Sequence, residues 1–313
     1  MKNLKKNITK TCLILLLLPS IQAKAQTEPM FTQYMYNETA INPAYAGSRE
    51  YVSMTMAYRN QWVGINGAPK TETFTIHAPT ASGKVGLGFS VLNESIGVTH
   101  QTNAFAAYAY RIQMENSIIS FGLQGGATVQ QENLSEVVTA HEGDVQFMNN
   151  TPTVVLPNAG FGMYFKNEKF YAGVSIPRLL AHKIAATSDK IISTTGSMHS
   201  WHYFITAGYV QELKSGIKIK PTIMVKAVEG APVQMDLNMN AFIADFMWIG
   251  IGYRTGDAIT TNIQFQLSKN LRIGYSYDYT TTELSNFTSG SHEFNLGYDF
   301  GTALNKIVTP RYF

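Results

Sequence analysis

Apolar and polar residues alternate with period two along most of the chain. In Leu271-Arg272-Ile273-Gly274-Tyr275-Ser276-Tyr277-Asp278-Tyr279 every odd position is apolar or aromatic, and every even one is glycine, small or charged. Phe294, Leu296, Tyr298 and Phe300 alternate in the same way with Glu293, Asn295, Gly297 and Asp299. So do Val52, Met54, Met56 and Tyr58 with Ser53, Thr55, Ala57 and Arg59, and Val85, Leu87, Phe89 and Val91 with Gly86, Gly88 and Ser90. Such a period puts successive side chains on opposite faces of a strand, one apolar and one polar. It predicts fourteen strands, near 51–59, 70–79, 84–92, 103–112, 117–128, 157–166, 169–176, 200–212, 216–226, 233–244, 246–254, 260–268, 271–279 and 290–300.

An even number of strands of about ten residues each predicts an all-β fold, a transmembrane antiparallel β-barrel. The connections supply a second argument. After even-numbered strands they are short (80–83, 113–116, 167–168, 213–215, Asp245 and 269–270), and after odd-numbered strands they are longer (60–69, 93–102, 129–156, 177–199, 227–232, 255–259 and 280–289). Outer-membrane barrels have short periplasmic turns and longer outer loops, whereas a soluble periplasmic sandwich has no reason to sort its loops. Hydrocarbon cannot satisfy backbone N–H and C=O groups, so the strands must close on one another. The apolar face then meets lipid, and Arg59, Arg254, Arg272, Asp278, Glu293 and Asp299 face the lumen. Moving an arginine to the lipid face would cost roughly 2–4 kcal/mol at mid-bilayer, which fixes the register.

The stretch before the first strand breaks the pattern. Pro29-Met30-Phe31-Thr32-Gln33-Tyr34-Met35-Tyr36-Asn37 leads to Ile41-Asn42-Pro43-Ala44-Tyr45-Ala46-Gly47. It is too aromatic for a solvated tail, and Pro43 and Gly47 argue against any regular element. Its rings need burial, and the barrel lumen or its periplasmic mouth offers it, so the stretch is expected to form a partial plug. Gln33, Asn37 and Asn42 would then hydrogen-bond the polar lumen wall, as buried amides require. The expected organisation is a signal peptide over 1–25, the plug over 26–50, the barrel over 51–300 and a tail over 301–313.

The first residues carry the targeting signal. Lys2, Lys5, Lys6 and Lys10 form a basic region, Cys12 to Leu18 a short apolar one, and Ala23-Lys24-Ala25 a small-x-small cleavage site before Gln26. Cleavage removes the chain's one cysteine, so the mature protein needs no disulfides outside the reducing cytoplasm. It also removes five lysines and no acid, turning a formal charge of +3 into −2. The basic balance therefore belongs to the precursor and is no argument for nucleic acid. With 14% charged residues the chain is short of ordinary solvated surface. Beyond the first 20 or so positions no apolar run approaches the roughly 18 residues of a spanning helix.

Catalytic motifs are absent: there is no G-x-S-x-G, no H-E-x-x-H, no Walker loop and no cysteine nucleophile in the mature chain. Gly86-Leu87-Gly88 lacks a third glycine and reads as packing against a neighbour. His199 and His202 stand three apart, on opposite faces of a strand, and His77, His100, His141, His182 and His292 are scattered, most of them expected in loops or at the rim. No catalytic residue, cofactor or metal is expected.

Phe31-x-Gln33-Tyr34-Met35-Tyr36-Asn37 followed by Asn42-Pro43-Ala44-Tyr45-Ala46-Gly47 resembles the opening motif of the PorP/SprF family of Bacteroidetes. Arg59-Asn60-Gln61-Trp62-Val63-Gly64 with Gly67-Ala68-Pro69, then Gly274 to Tyr279, Gly290-Ser291-His292-Glu293-Phe294 and the closing Pro310-Arg311-Tyr312-Phe313 are similar to it too. Tyr36 and Glu38 stand where the family pattern has Phe and Pro. The resemblance implies an outer-membrane barrel of the type IX secretion system. It also implies periplasmic secretion components as partners, and for some members a cognate secreted adhesin used in gliding motility. Two other functions remain open on the residues alone: an outer-membrane channel for small or hydrophobic substrates, and an outer-membrane enzyme.

Overall fold

The computed structural model describes residues 28–137, 149–184, 192–196 and 200–301. The signal peptide expected over 1–25, the expected tail from 302 onward, His141 and His199 lie outside the described residues. Three single-turn 3₁₀ helices, Tyr34–Tyr36, Glu38–Ala40 and Pro43–Tyr45, come first. Seventeen strand segments follow among the described residues. They are β1 (Val52–Asn60), β2 (Lys70–Pro79), β3 (Val85–Ile96), β4 (Thr99–Met114), β5 (Ser117–Glu132), β6 (Val154–Asn167), β7 (Phe170–Ile176), β8 (Leu180–Ile184), β9 (Ile192–Gly196) and β10 (Tyr203–Tyr209). The rest are β11 (Gln211–Glu212), β12 (Lys218–Ala227), β13 (Gln234–Ile243), β14 (Met247–Arg254), β15 (Ala258–Gln266), β16 (Leu271–Thr280) and β17 (Ser291–Phe300).

Each long strand pairs antiparallel with its neighbours, β10 pairs with both β7 and β12, and β1 pairs with β17. The result is a closed antiparallel barrel of fourteen strands, with β8 and β9 forming a hairpin of their own above the wall. Closure pairs the first strand of the wall with the last, so the wall presents no open edge strand to lipid. No helix of the described residues is long and apolar enough to cross a membrane; strands do the crossing.

The alternation read from the sequence governs which face each side chain takes. Met56, Tyr58, Leu87, Phe89, Phe121 and Leu123 are exposed on the outer wall, while Ser53, Thr55, Arg59, Thr73, Thr75 and Ser120 are buried inside it. Register holds the outer rings together: Tyr275 faces Phe294, with ring centroids 4.9 Å apart, and Ile273 faces Leu296.

Two expectations about connections are corrected. Residues 93–102 are not a loop: β3 and β4 continue as a paired hairpin up to Ile96 and Thr99. Gly97, at φ 56, takes the left-handed backbone of the two-residue turn. Polar residues at Asn93, Glu94, Ser95 and Gln101 hide the strand because above the bilayer neither face needs to be apolar. β4 and β5, at 16 residues each, overshoot the roughly 25 Å apolar band of a barrel wall. The β14–β15 connection is likewise only 255–257. Loop sorting is therefore weaker than the alternation suggested. The long connections that remain at that mouth are 61–69, 133–153, 177–202 and 281–290. The strand expected over 200–212 is also broken, at Val210, into β10 and β11.

Candidate functional site

Residues 31–48 are buried almost without interruption. A segment this short in regular structure satisfies its polar groups through partners elsewhere, and those partners lie on strands all round the barrel. Tyr34 Oη reaches Thr222 on β12, Asn238 on β13 donates to Tyr34 Oη, and Thr75 on β2 donates to Asn37 Oδ1 at 2.7 Å. Asn42 donates to the Met163 carbonyl on β6, and Ser175 on β7 donates to the Ile41 carbonyl. A single segment can touch β2, β6, β7, β12, β13, β16 and β17 only by lying inside the closed wall. The expectation that Pro43 and Gly47 forbid a regular element is corrected in part. Pro43 opens a 3₁₀ turn, where its fixed φ suits the first position and Asn42 Oδ1 accepts from the Ala44 amide.

The inner wall is shaped to receive this segment. A β-carbon on Gly86 would collide with the Ala46 carbonyl, one on Gly162 with the Asn42 side chain, and one on Gly274 would sit 2.5 Å from Gln33 Oε1. Gly86 and Gly88 thus pack against a neighbour, and that neighbour is the N-terminal segment. The sequence gives no direct sign of this, because a strand glycine has the same letter whether it faces a backbone or open water.

The six charges expected in the lumen are all buried, and they divide into two groups at opposite ends of the barrel. Near the mouth that carries the longer connections, Arg59 pairs with Asp278 at 2.8 Å and with Glu293 at 3.3 Å. Arg254 pairs there with Asp278 at 3.1 Å and with Asp236, to which Lys226 also turns. Thr32 sits in the middle. Its amide donates to Glu293, the Gln33 amide donates to the other Glu293 oxygen, and its hydroxyl donates to Asp278 while accepting from Arg59. Near the opposite mouth Asp299 takes Arg272, Arg49 and the Ser53 hydroxyl. Arg272 and Asp278, both on β16 and both facing the lumen, belong to different groups and do not meet.

Of the motif residues, Phe31, Gln33, Tyr34, Asn37, Asn42, Pro43 and Tyr45 are buried. Asn295 and the Glu293 carbonyl hold the Gln33 amide, and the Tyr45 ring meets Tyr164 edge-on at 5.3 Å. Gly47, at φ 72, donates its N–H to His77. Burying one apolar ring of this size stabilises by about 1.5–3 kcal/mol.

Several buried charged groups escaped the sequence reading, among them Lys166, Lys220, Lys226, Asp236 and Glu38. Glu38 is 3% exposed and lies among Lys220, Tyr171 and Tyr164. Burial raises its carboxyl above the ordinary range, and the Lys220 ammonium and the two hydroxyls offset this only in part. A lone acid in an irregular segment has no periodicity to betray its burial. Among the described residues no group of three His, Cys, Asp or Glu is placed to hold a metal ion.

A closed antiparallel wall with an apolar outer face and a polar, charged interior defines an outer-membrane β-barrel. The model of the family described as "Type IX secretion system membrane protein PorP/SprF" matches residues 23–298, and the chain belongs to that family. It is thereby an outer-membrane component of the type IX secretion system. No curated protein matches. Among solved structures, a CymD monoaromatic hydrocarbon channel is similar at 10% identity with a TM-score of 0.51, over 88% of this chain and 94% of that one. The Ralstonia pickettii toluene transporter TbuX follows at 9% identity and a TM-score of 0.48, over 90% and 98%. The Acinetobacter baumannii outer-membrane protein Omp33 is similar at 10% and 0.45, over 80% and 99%.

Proposed function

We propose that this protein is a non-catalytic subunit that supports export or surface anchoring of secreted proteins, including gliding adhesins, with its own lumen closed by the segment 29–47. The short-turn mouth would engage periplasmic secretion components, and the opposite mouth the cargo. The observation that carries this reading is the ring of wall contacts made by residues 31–48, from Glu293 through Thr222, Thr75 and Met163 to His77. A conduit for cargo through this lumen would require all of them to break. The protein would thus serve as a sealed platform in the outer membrane rather than as the export pore.

Deleting residues 29–47 tests it. The barrel should still insert and resist heat in detergent, while permeability to bulky antibiotics rises and the cognate cargo is lost from the surface. Unchanged permeability together with normal surface cargo would reduce the segment to a tail. Purification from native membranes with mass spectrometry of bound proteins should recover type IX components. Substrate-dependent conductance without such partners would favour a channel for small or hydrophobic substrates, as CymD is for monoaromatic hydrocarbons.

A further inference from the structure

We infer that residues 28–50 form a rod running the full height of the lumen, which presents the amino-terminal side of the mature chain at the mouth of the long connections. The inference concerns path and direction, and holds whether or not the segment seals the barrel.

The contacts climb in order. Arg49 meets Asp299, one residue from the lower end of β17, and Lys166, one residue from the lower end of β6, donates to the Ser48 carbonyl. Gly47 donates to His77, two residues from the lower end of β2. Asn42 and Asn37 reach mid-wall, at Met163 and Thr75. Thr32 is bonded to Asp278, two residues from the upper end of β16, and to Arg59, one residue from the upper end of β1. Glu28 then pairs with Arg178, which lies beyond the upper end of β7 in the long connection 177–202. Arg178 also donates to Asn103, near the upper start of β4.

One end of the rod is continuous with β1 at the lower mouth, and the other reaches the upper mouth at Glu28, where Arg178 holds it. Traction on that end from above therefore cannot remove the rod, because β1 anchors it. To empty the lumen, residue 28 must travel down through the barrel past the site now holding Thr32. The device is retractable from the short-turn side and merely accessible from the other. It offers one partner a handle and the opposite compartment the release.

The test uses the full chain in its native outer membrane, with a short epitope inserted between Thr27 and Glu28, between Asn149 and Asn150, or between Ser82 and Gly83. Antibody and protease should reach the first two from the same side, and Ser82/Gly83 from the other. An epitope at 27/28 that behaves like the one at 82/83 would overturn the inference. Because insertion itself could misplace the rod, a second measurement uses Glu28→Cys with Arg178→Cys, Cys12 being the chain's only other cysteine. A short bismaleimide should link the two in the folded barrel, and no link in a heat-resistant barrel would also overturn it. Unchanged permeability on deletion of 29–47, which would remove the sealing role, leaves both of these results as expected for the full chain.

Discussion

A β-carbon on Gly122 would overlap the backbone nitrogen of Ala44. Gly122 lies mid-strand on β5, so the wall is indented at the height where the N-terminal segment passes. Gly122→Val should therefore expel the segment locally without altering the lipid face. Overpacking of this kind costs typically 1–3 kcal/mol. Limited proteolysis of the purified barrel should cut within 29–47 in the variant and spare it in the parent. Equal protection in both would mean the wall yields there.

Arg59 and Glu293 face each other in register across β1 and β17, both nearly inaccessible to solvent. Removing one partner of a buried pair leaves a charge uncompensated, at about 3–5 kcal/mol. Arg59→Met should lower the thermal midpoint strongly, and the double variant Arg59→Met, Glu293→Gln should recover part of the loss. Heat modifiability on gels reads both, and additive effects would argue against coupling.

Burial of the Glu38 carboxyl sets the sign of a pH dependence. Burial raises its pKa in the folded state, so docking of the segment is favoured most below the ordinary glutamate range and weakens as pH rises toward neutrality. Lys220, Tyr171, Tyr164 and Arg49 face it and limit the effect. Protease cleavage of 29–47 should accelerate between about pH 5 and pH 8, and Glu38→Gln should flatten that profile. A profile of opposite slope would assign the response to another group.

Sidedness can be read with single cysteines. Asn150 lies in the long connection 133–153 and Ser82 in the turn between β2 and β3. Asn150→Cys should react with an impermeant thiol reagent on whole cells and Ser82→Cys should not. The reverse would invert the barrel.

The strands were legible because lipid and lumen impose opposite demands on alternate residues, as in 271–279, and that constraint reaches only as far as the bilayer. Above it, Asn93 donates to Glu72 and accepts from Thr102, Gln101 donates to Asn103, and β3 and β4 continue there without an alternating signature. The inward face of Arg272 and Asp299 follows from the same alternation, but their separation from Arg59 and Asp278 does not. Which charges meet depends on height and stagger, which residue order alone does not encode. Glu38 and the glycines of the indented wall are set by a path through the lumen, and no period runs along it.

Thr32 also bears on how the molecule is put together. It is bonded to β17 through Glu293, to β16 through Asp278 and to β1 through Arg59. The seam between the first and last strands therefore closes around a residue that precedes them both. In the finished barrel the N-terminal segment thus works as a rivet, tying the first strand to the last two from inside, across the seam.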